Sequence, residues 1–259
     1  MGNHRGLIDP AEGRASCGVG MAVNVSGSAD HGIVEYGLRI LENLAHRGAE
    51  NADGRTGDGA GITVQIPHDF IVKCGISVPE AGRYGTGLFF LPKNAERADA
   101  CLAVFRQACA HYGLTVFATR EVPVDHSVPG PMAQAAEPEV RQVFVSSYDS
   151  QDTLERKLWA ARRRTELGVT DPAFYICSLS TRTMVYKGML TPAQLRAYYP
   201  DLTDPAFRSA VAMVHSRFST NTAPEWKLAQ PFRLLCHNGE INTIRANRAW
   251  TAAREGASH

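Results

Sequence analysis

Short alternating stretches of apolar and polar residues, closed repeatedly by Gly, Pro, Asn, Asp or Ser, run from Cys17 to His237 and set the strongest limit on the fold. CGVGMAVNV (17–25), GITVQI (61–66), residues 86–91, 115–124, RQVFVSS (141–147), FYICSLS (174–180), TMVYKG (183–188), SAVAMVH (209–215) and RLLCH (233–237) each read as a strand. FYICSLS and TMVYKG, joined at the STR of 180–182, predict a hairpin. Between the strands lie helical periods. Asp30 caps a helix with Ile33, Leu38, Leu41 and Leu44 on one face, ending near Gly48. Residues 95–112 place Leu102, Phe105 and Cys109 on one side. Residues 152–168 form an amphipathic helix capped by Asp152 and closed by Gly168, and shorter helices are predicted at 192–199 and 241–255. The Pro-rich segment 128–139 reads as a surface loop. Strands joined by short loops, with helices grouped rather than strictly alternating, predict an α+β protein. GxGxxG and GxxxxGK[ST] do not occur, so a nucleotide fold has no local support.

Composition narrows the function classes. Lys and Arg number 27 against 26 Asp and Glu in 259 residues, giving a formal net charge of +1 and no electrostatic footprint for nucleic acid or an anionic membrane. No apolar run approaches the ~18 residues of a membrane helix. The first sixteen residues, MGNHRGLIDPAEGRAS, lack the apolar middle of a secretory signal and read as a leader without a core face. A reducing, cytoplasmic compartment is the expectation. The six cysteines form no CxxC pair, so neither a zinc site nor an iron–sulfur cluster is signalled.

Four clusters could carry chemistry. Cys17 opens a Gly-rich segment after the leader. If residues 1–16 are removed, its own α-amine, with a reference pKa of roughly 7.7–8.0, can take the thiol proton. The simpler reading is a half-buried cysteine at a strand start. His46-Arg47-Gly48 closes the first helix, where cations complement the dipole and Gly suits the C′ position. His215-Ser216-Arg217-Phe218-Ser219-Thr220-Asn221 follows a strand, and Arg217 could grip a carboxylate with both arms or simply form a surface ion pair. Cys236-His237-Asn238-Gly239-Glu240 places an amide side chain beside a glycine N–H, two donors that can hold an oxyanion. Asn-Gly is also a common hairpin turn, although the helical INTIRANRAW that follows fits a two-strand hairpin poorly. Together the four supply a nucleophile, a base, a carboxylate clamp and an oxyanion hole, the parts that acyl transfer on an amino-acid amide needs.

GLIDPAEGRASCGVG, LENLAHRGAENADGRTGDGAGITVQIPHDF and HSRFSTNTAPEWKLAQPFRLLCHNGEINTIRANRAW carry a resemblance. They are similar to the N-terminal glutaminase domain of the glutamate synthase large subunit, a class II glutamine amidotransferase. The resemblance implies an N-terminal-nucleophile hydrolase fold, a four-layer αββα sandwich, with a propeptide at 1–16 and the amidotransferase domain at 17–259. It implies that Cys17 is the nucleophile, that Arg47 positions it, and that Asn238 and Gly239 form the oxyanion hole. Arg217 would clamp the α-carboxylate of L-glutamine, with Thr220 and Asn221 in the same binding strip. Cofactors are expected outside this chain: FMN and an iron–sulfur cluster in an associated synthase portion, where ammonia meets 2-oxoglutarate. The family's amine-gripping aspartate has no match after Gly239, so the domain is expected to be incomplete at its C-terminus. The alternative is a truncated, catalytically impaired chain acting only as a structural or interaction partner of a synthase subunit.

Overall fold

A computed structural model describes residues 18–218, 222–233 and 244–256. In chain order its elements are β1 (Gly18–Val23), α1 (His31–Asn43), β2 (Ala60–Gln65), α2 (His68–Lys73), β3 (Tyr84–Leu91), α3 (Ala95–His111), β4 (Thr115–Glu121) and α4 (Pro131–Ala135). There follow β5 (Glu139–Ser146), α5 (Gln151–Gly168), β6 (Tyr175–Ile176), β7 (Thr183–Gly188), α6 (Pro192–Tyr198), β8 (Val211–Ser216) and α7 (Ile244–Gly256). The strands form two four-stranded antiparallel sheets, ordered β1-β8-β2-β7 and β4-β5-β3-β6. The α+β expectation holds.

The second sheet is built by one continuous stretch, β3-α3-β4-α4-β5-α5-β6. Both β3 and β4 run antiparallel to β5, so they are parallel to each other with β5 between them, a split β-α-β arrangement. The side chains of β3 divide by period two. Phe89 and Leu91 join Leu102, Phe105 and Cys109 of α3 and Leu154 and Leu158 of α5 in one core. Tyr84, Leu88 and Phe90 turn to the other face and share a second core with Ile62, Val64, Met184, Tyr186 and Val214 of the first sheet. Helix α1 contributes Val34, Leu38 and Leu41 to that core. It can lie close on β8 because Gly37 has no side chain; a Cβ there would stand 2.6 Å from Ala212 Cβ.

Several local expectations are corrected. FYICSLS and TMVYKG are not a hairpin: β6 pairs with β3 in one sheet and β7 with β2 in the other. The chain keeps pairing with β3 as far as Ser180, which bridges Thr86, and passes to the other sheet only between there and Thr183; the Ser178 carbonyl oxygen lies 1.6 Å from where a Cβ on Gly87 would be, so only glycine lets this stretch lie on β3. Segment 128–139 is no simple surface loop. It contains α4, and its Glu137 is 6% exposed, accepting from Lys93 Nζ at 2.8 Å and Tyr198 O–H at 2.8 Å, with His126 Nδ1 at 2.9 Å. Burial raises this carboxyl's pKa, but those partners outweigh it and leave the group below the ordinary glutamate value.

Asp30 does cap α1, accepting from Gly32 N–H at 2.5 Å. The helix stops at Asn43, however, and a short 3₁₀ turn, Ala45–Arg47, carries the chain to Gly48. Gly48 has extended φ and ψ (−90°, 175°), not the left-handed C′ conformation. Its glycine serves a close approach to Ser216, whose Oγ lies 2.5 Å from a would-be Cβ. Ser150, not Asp152, caps α5; Asp152 sits in the first turn. The expected strand at 233–237 lies outside the described residues from 234 onward.

Candidate active site

Three segments meet at one end of the first sheet. In the strand register Ser216 stands between Gly18 on β1 and Ala60 on β2. The chain leaving β8 therefore runs beside the chain entering β1 and β2. Arg217 continues the ladder, its N–H donating to the Gly59 carbonyl at 2.8 Å and its carbonyl accepting from Ala49 N–H at 3.4 Å. Its guanidinium is fixed by two further contacts: Nη1 donates to the Asp58 carbonyl at 3.2 Å and Nη2 to Thr222 Oγ1 at 2.8 Å. Arg217 is 8% exposed, so this is a built position and not the surface ion pair that the sequence also allowed.

Arg47 reaches the same end from the 3₁₀ turn that follows α1. Its Cβ, like that of Leu44, lies 3.0 Å from where a side chain on Gly18 would start. The glycine thus lets the 3₁₀ turn close directly on the backbone of the residue after Cys17. The loop between Arg47 and β2 is stitched by Asp53, which accepts from Thr56 Oγ1 at 2.5 Å, Thr56 N–H at 2.7 Å and Arg55 N–H at 2.9 Å. The Thr56 hydroxyl first, then the two backbone N–H groups, hold its carboxyl below the usual range.

All four described cysteines, at positions 74, 101, 109 and 177, have thiols raised by burial. Cys109 and Cys177 are buried, and burial pushes each thiol up to about 12; Cys101 is also buried and raised. Such thiols are poor nucleophiles and poor ligands at neutral pH. Among the described residues, no group of three or more His, Cys, Asp and Glu could hold a metal ion, and no helix is long and apolar enough to cross a membrane.

The family model of the class-II glutamine amidotransferases matches residues 17–259. The chain belongs to the class-II glutamine amidotransferases. It is 46% identical over 262 residues to the glutamate synthase [NADPH] large chain of Bacillus subtilis, covering 98% of this chain and 17% of that one. It is 42% identical over 269 residues to glutamate synthase [NADH] of Saccharomyces cerevisiae, covering 97% and 12%. It is 41% identical over 250 residues to ferredoxin-dependent glutamate synthase 2 of Synechocystis, covering 94% and 16%. The chain thus spans about a sixth or less of the length of these relatives.

For this amidotransferase chain, the structure brings two expected site residues, Arg47 and Arg217, to the end of the sheet where β1 begins. Cys17, Thr220, Asn221, Asn238 and Gly239 lie outside the described residues. The sequence reading missed Asp58, Thr222 and the glycines beneath them. It had a signal for the last: GDGAG puts Gly59 and Gly61 at alternate positions, which leaves one face of the entering strand bare. Ala229 Cα lies 3.0 Å from a would-be Cβ on Gly59, and the Gln230 carbonyl oxygen 2.5 Å from one on Gly61.

The reading also missed Lys187, the penultimate residue of β7. It is 0% exposed, and its Nζ donates to the carbonyls of Ala229 at 2.7 Å and Lys227 at 2.9 Å. The rings of Tyr175 and Phe232 lie 4.6 and 4.4 Å from Nζ. Burial lowers its pKa from 10.5 to about 8. A lysine whose folded pKa is depressed carries a burial cost that is present below the folded value and relieved as pH rises toward the unfolded one. Unfolding stability of the parent relative to Lys187→Met should therefore rise between pH 8 and 10.5, by about 3 kcal/mol at most. Denaturant melts of the two proteins across that window measure this directly; a constant gap would show that Lys187 does not titrate there.

Proposed function

We propose that this chain is the glutaminase part of a glutamate synthase, releasing ammonia from L-glutamine through a γ-glutamyl thioester on Cys17. The observation that carries the reading is the strand register: Gly18 opposite Ser216 brings Arg47 and Arg217 to the point where the residue after Cys17 enters the sheet. In this reading residues 1–16 are a propeptide and 17–259 the amidotransferase domain. The two antiparallel sheets, with α1 on one and α3 and α5 on the other, support assignment to the αββα N-terminal-nucleophile fold.

Removal of the propeptide frees the Cys17 amine, which takes the thiol proton while neutral. The thiolate attacks the carboxamide carbon. Asn238 and Gly239 supply the donors for the oxyanion. Collapse of the tetrahedral intermediate breaks the C–N bond, the leaving nitrogen takes the proton from the α-amine, and ammonia departs. Water then attacks the thioester carbonyl, releasing glutamate and restoring the thiol. Arg217 grips the substrate's α-carboxylate, Thr220 and Asn221 line the same strip, and Arg47 orients the N-terminal residue. Reductive amination of 2-oxoglutarate, with its FMN and iron–sulfur cluster, belongs to a synthase portion outside this sequence, in a cytoplasmic setting. The alternative of a purely structural partner is not favoured, because the family match runs the whole way from residue 17 to 259.

Intact-mass measurement tests the reading. The active protein is expected to begin at Cys17, lighter by residues 1–16. A protein that turns over glutamine with those residues still attached would overturn the role of the α-amine.

A further inference from the structure

The hydrolysis just described leaves the ammonium of Lys187 unused, yet burying a cation with no carboxylate paired to it among the described residues is costly. A methionine would fill the same volume. What the ammonium adds is a grip on two carbonyls, those of Lys227 and Ala229, in a strap that crosses β2. Trp226–Leu228 forms the strap's opening 3₁₀ turn, and Trp226 anchors it by donating from Nε1 to the Ala133 carbonyl at 2.9 Å. Beyond Ala229, Arg233 pairs with Glu155 of α5. Between these anchors the strap lies on the bare glycine face. Ala229 covers Gly59, and Arg217 Cβ stands 3.5 Å from the same would-be Cβ position. Lys187, Ala229, Gly59 and Arg217 thus form one unbroken line of contacts.

We propose that Lys187 is a positioning residue for substrate binding: by holding the carbonyls of residues 227 and 229 it seats the strap on Gly59 and Gly61 and so fixes the Arg217 guanidinium where a substrate carboxylate must meet it. This rests on the reading of Arg217 as the carboxylate clamp and of Cys17 as the nucleophile. Lys187 acts through Arg217, so its loss weakens recognition of the carboxylate more than it weakens the nucleophile.

Two covalent probes of Cys17 separate these effects, read on the N-terminal peptide by mass spectrometry in the full chain matured to Cys17. Azaserine is glutamine-shaped and needs the carboxylate clamp; iodoacetamide has no carboxylate. In Lys187→Met, alkylation by azaserine is expected to slow about tenfold and KM for glutamine to rise by a similar factor, with kcat and iodoacetamide labelling within about twofold of the parent. In Lys187→Gln, a shorter donor is retained and the azaserine loss should be partly rescued. Equal loss with both probes, or no loss with azaserine, in a folded variant overturns the proposal. So does failure of both variants to fold, since the residue is then structural. A parent protein that neither probe labels at Cys17 instead sinks the nucleophile assignment itself.

Discussion

Replacing Cys17 by Ser is expected to lower glutamine hydrolysis by at least about a thousandfold while leaving glutamine affinity within about twofold. The reason is a match of basicities. A thiol with a reference pKa of roughly 8.5 and an α-amine of roughly 7.7–8.0 can exchange a proton at neutral pH with little penalty. A serine hydroxyl is far less acidic and a weaker nucleophile, so the same amine activates it much less effectively at this site. Binding should survive, because Arg217, the proposed carboxylate clamp, is held by Gly59, Asp58 and Thr222, none of which depends on the sulfur. The amine must be neutral to act, so parent activity should climb with pH through roughly 7–8.5 as the ammonium form is lost. Ammonia release, isothermal titration with glutamine and a melting curve together make the test. Undiminished turnover in a folded Cys17→Ser protein would refute the assignment.

What was legible in the sequence divides by the range of the forces involved. Helices α3 and α5 showed in their apolar spacing, and the residues named from it, Leu102, Phe105 and Cys109, are buried. The strand patterns at 61–66, 183–188 and 209–215 also found their elements, because alternation is a local signature of a face turned to a core. Sheet membership is not local. Nothing within 174–188 distinguishes a hairpin from a crossing between sheets; the deciding pairings are those of β6 with β3 and of β7 with β2, both far upstream. Glu137 lies in the segment 128–139, read from its prolines as a surface loop, and its burial depends on Lys93, His126 and Tyr198, from three other parts of the chain.

The site follows the same division. Arg47 and Arg217 could be named because motifs are contiguous, and the strand register then placed both at one end of one sheet. Lys187 escaped notice as one charged residue in an alternating strand, a pattern that ordinarily means a solvated face. Its burial arises because a strap from residues 226–230 roofs it and offers carbonyl oxygens in place of water. A charge inside MVYKGML, with apolar residues on both sides, was the one local hint.

If Arg217 is the clamp proposed above, its substitution by Ala is expected to cost about 2–5 kcal/mol of glutamine binding, roughly thirtyfold to several thousandfold in Kd, by removing the desolvated partner of the carboxylate. The effect should fall on recognition more than on chemistry. Arg217→Lys keeps the charge but loses the planar fork, and the two contacts to the Asp58 carbonyl and Thr222 Oγ1 cannot both be kept with a single ammonium in the guanidinium's geometry. It should therefore recover only part of the loss. The decisive comparison uses glutamine against the same amide lacking its α-carboxylate. The parent should discriminate strongly between them, because the amide leaves the buried guanidinium without its anion. In Arg217→Ala that discrimination should nearly vanish, with turnover of the carboxylate-free amide little changed. If the variant lost activity toward both amides by the same factor, Arg217 would be holding the ends of β8 and β2 together rather than reading the substrate. The carboxylate would then be met by another group at this end of the sheet.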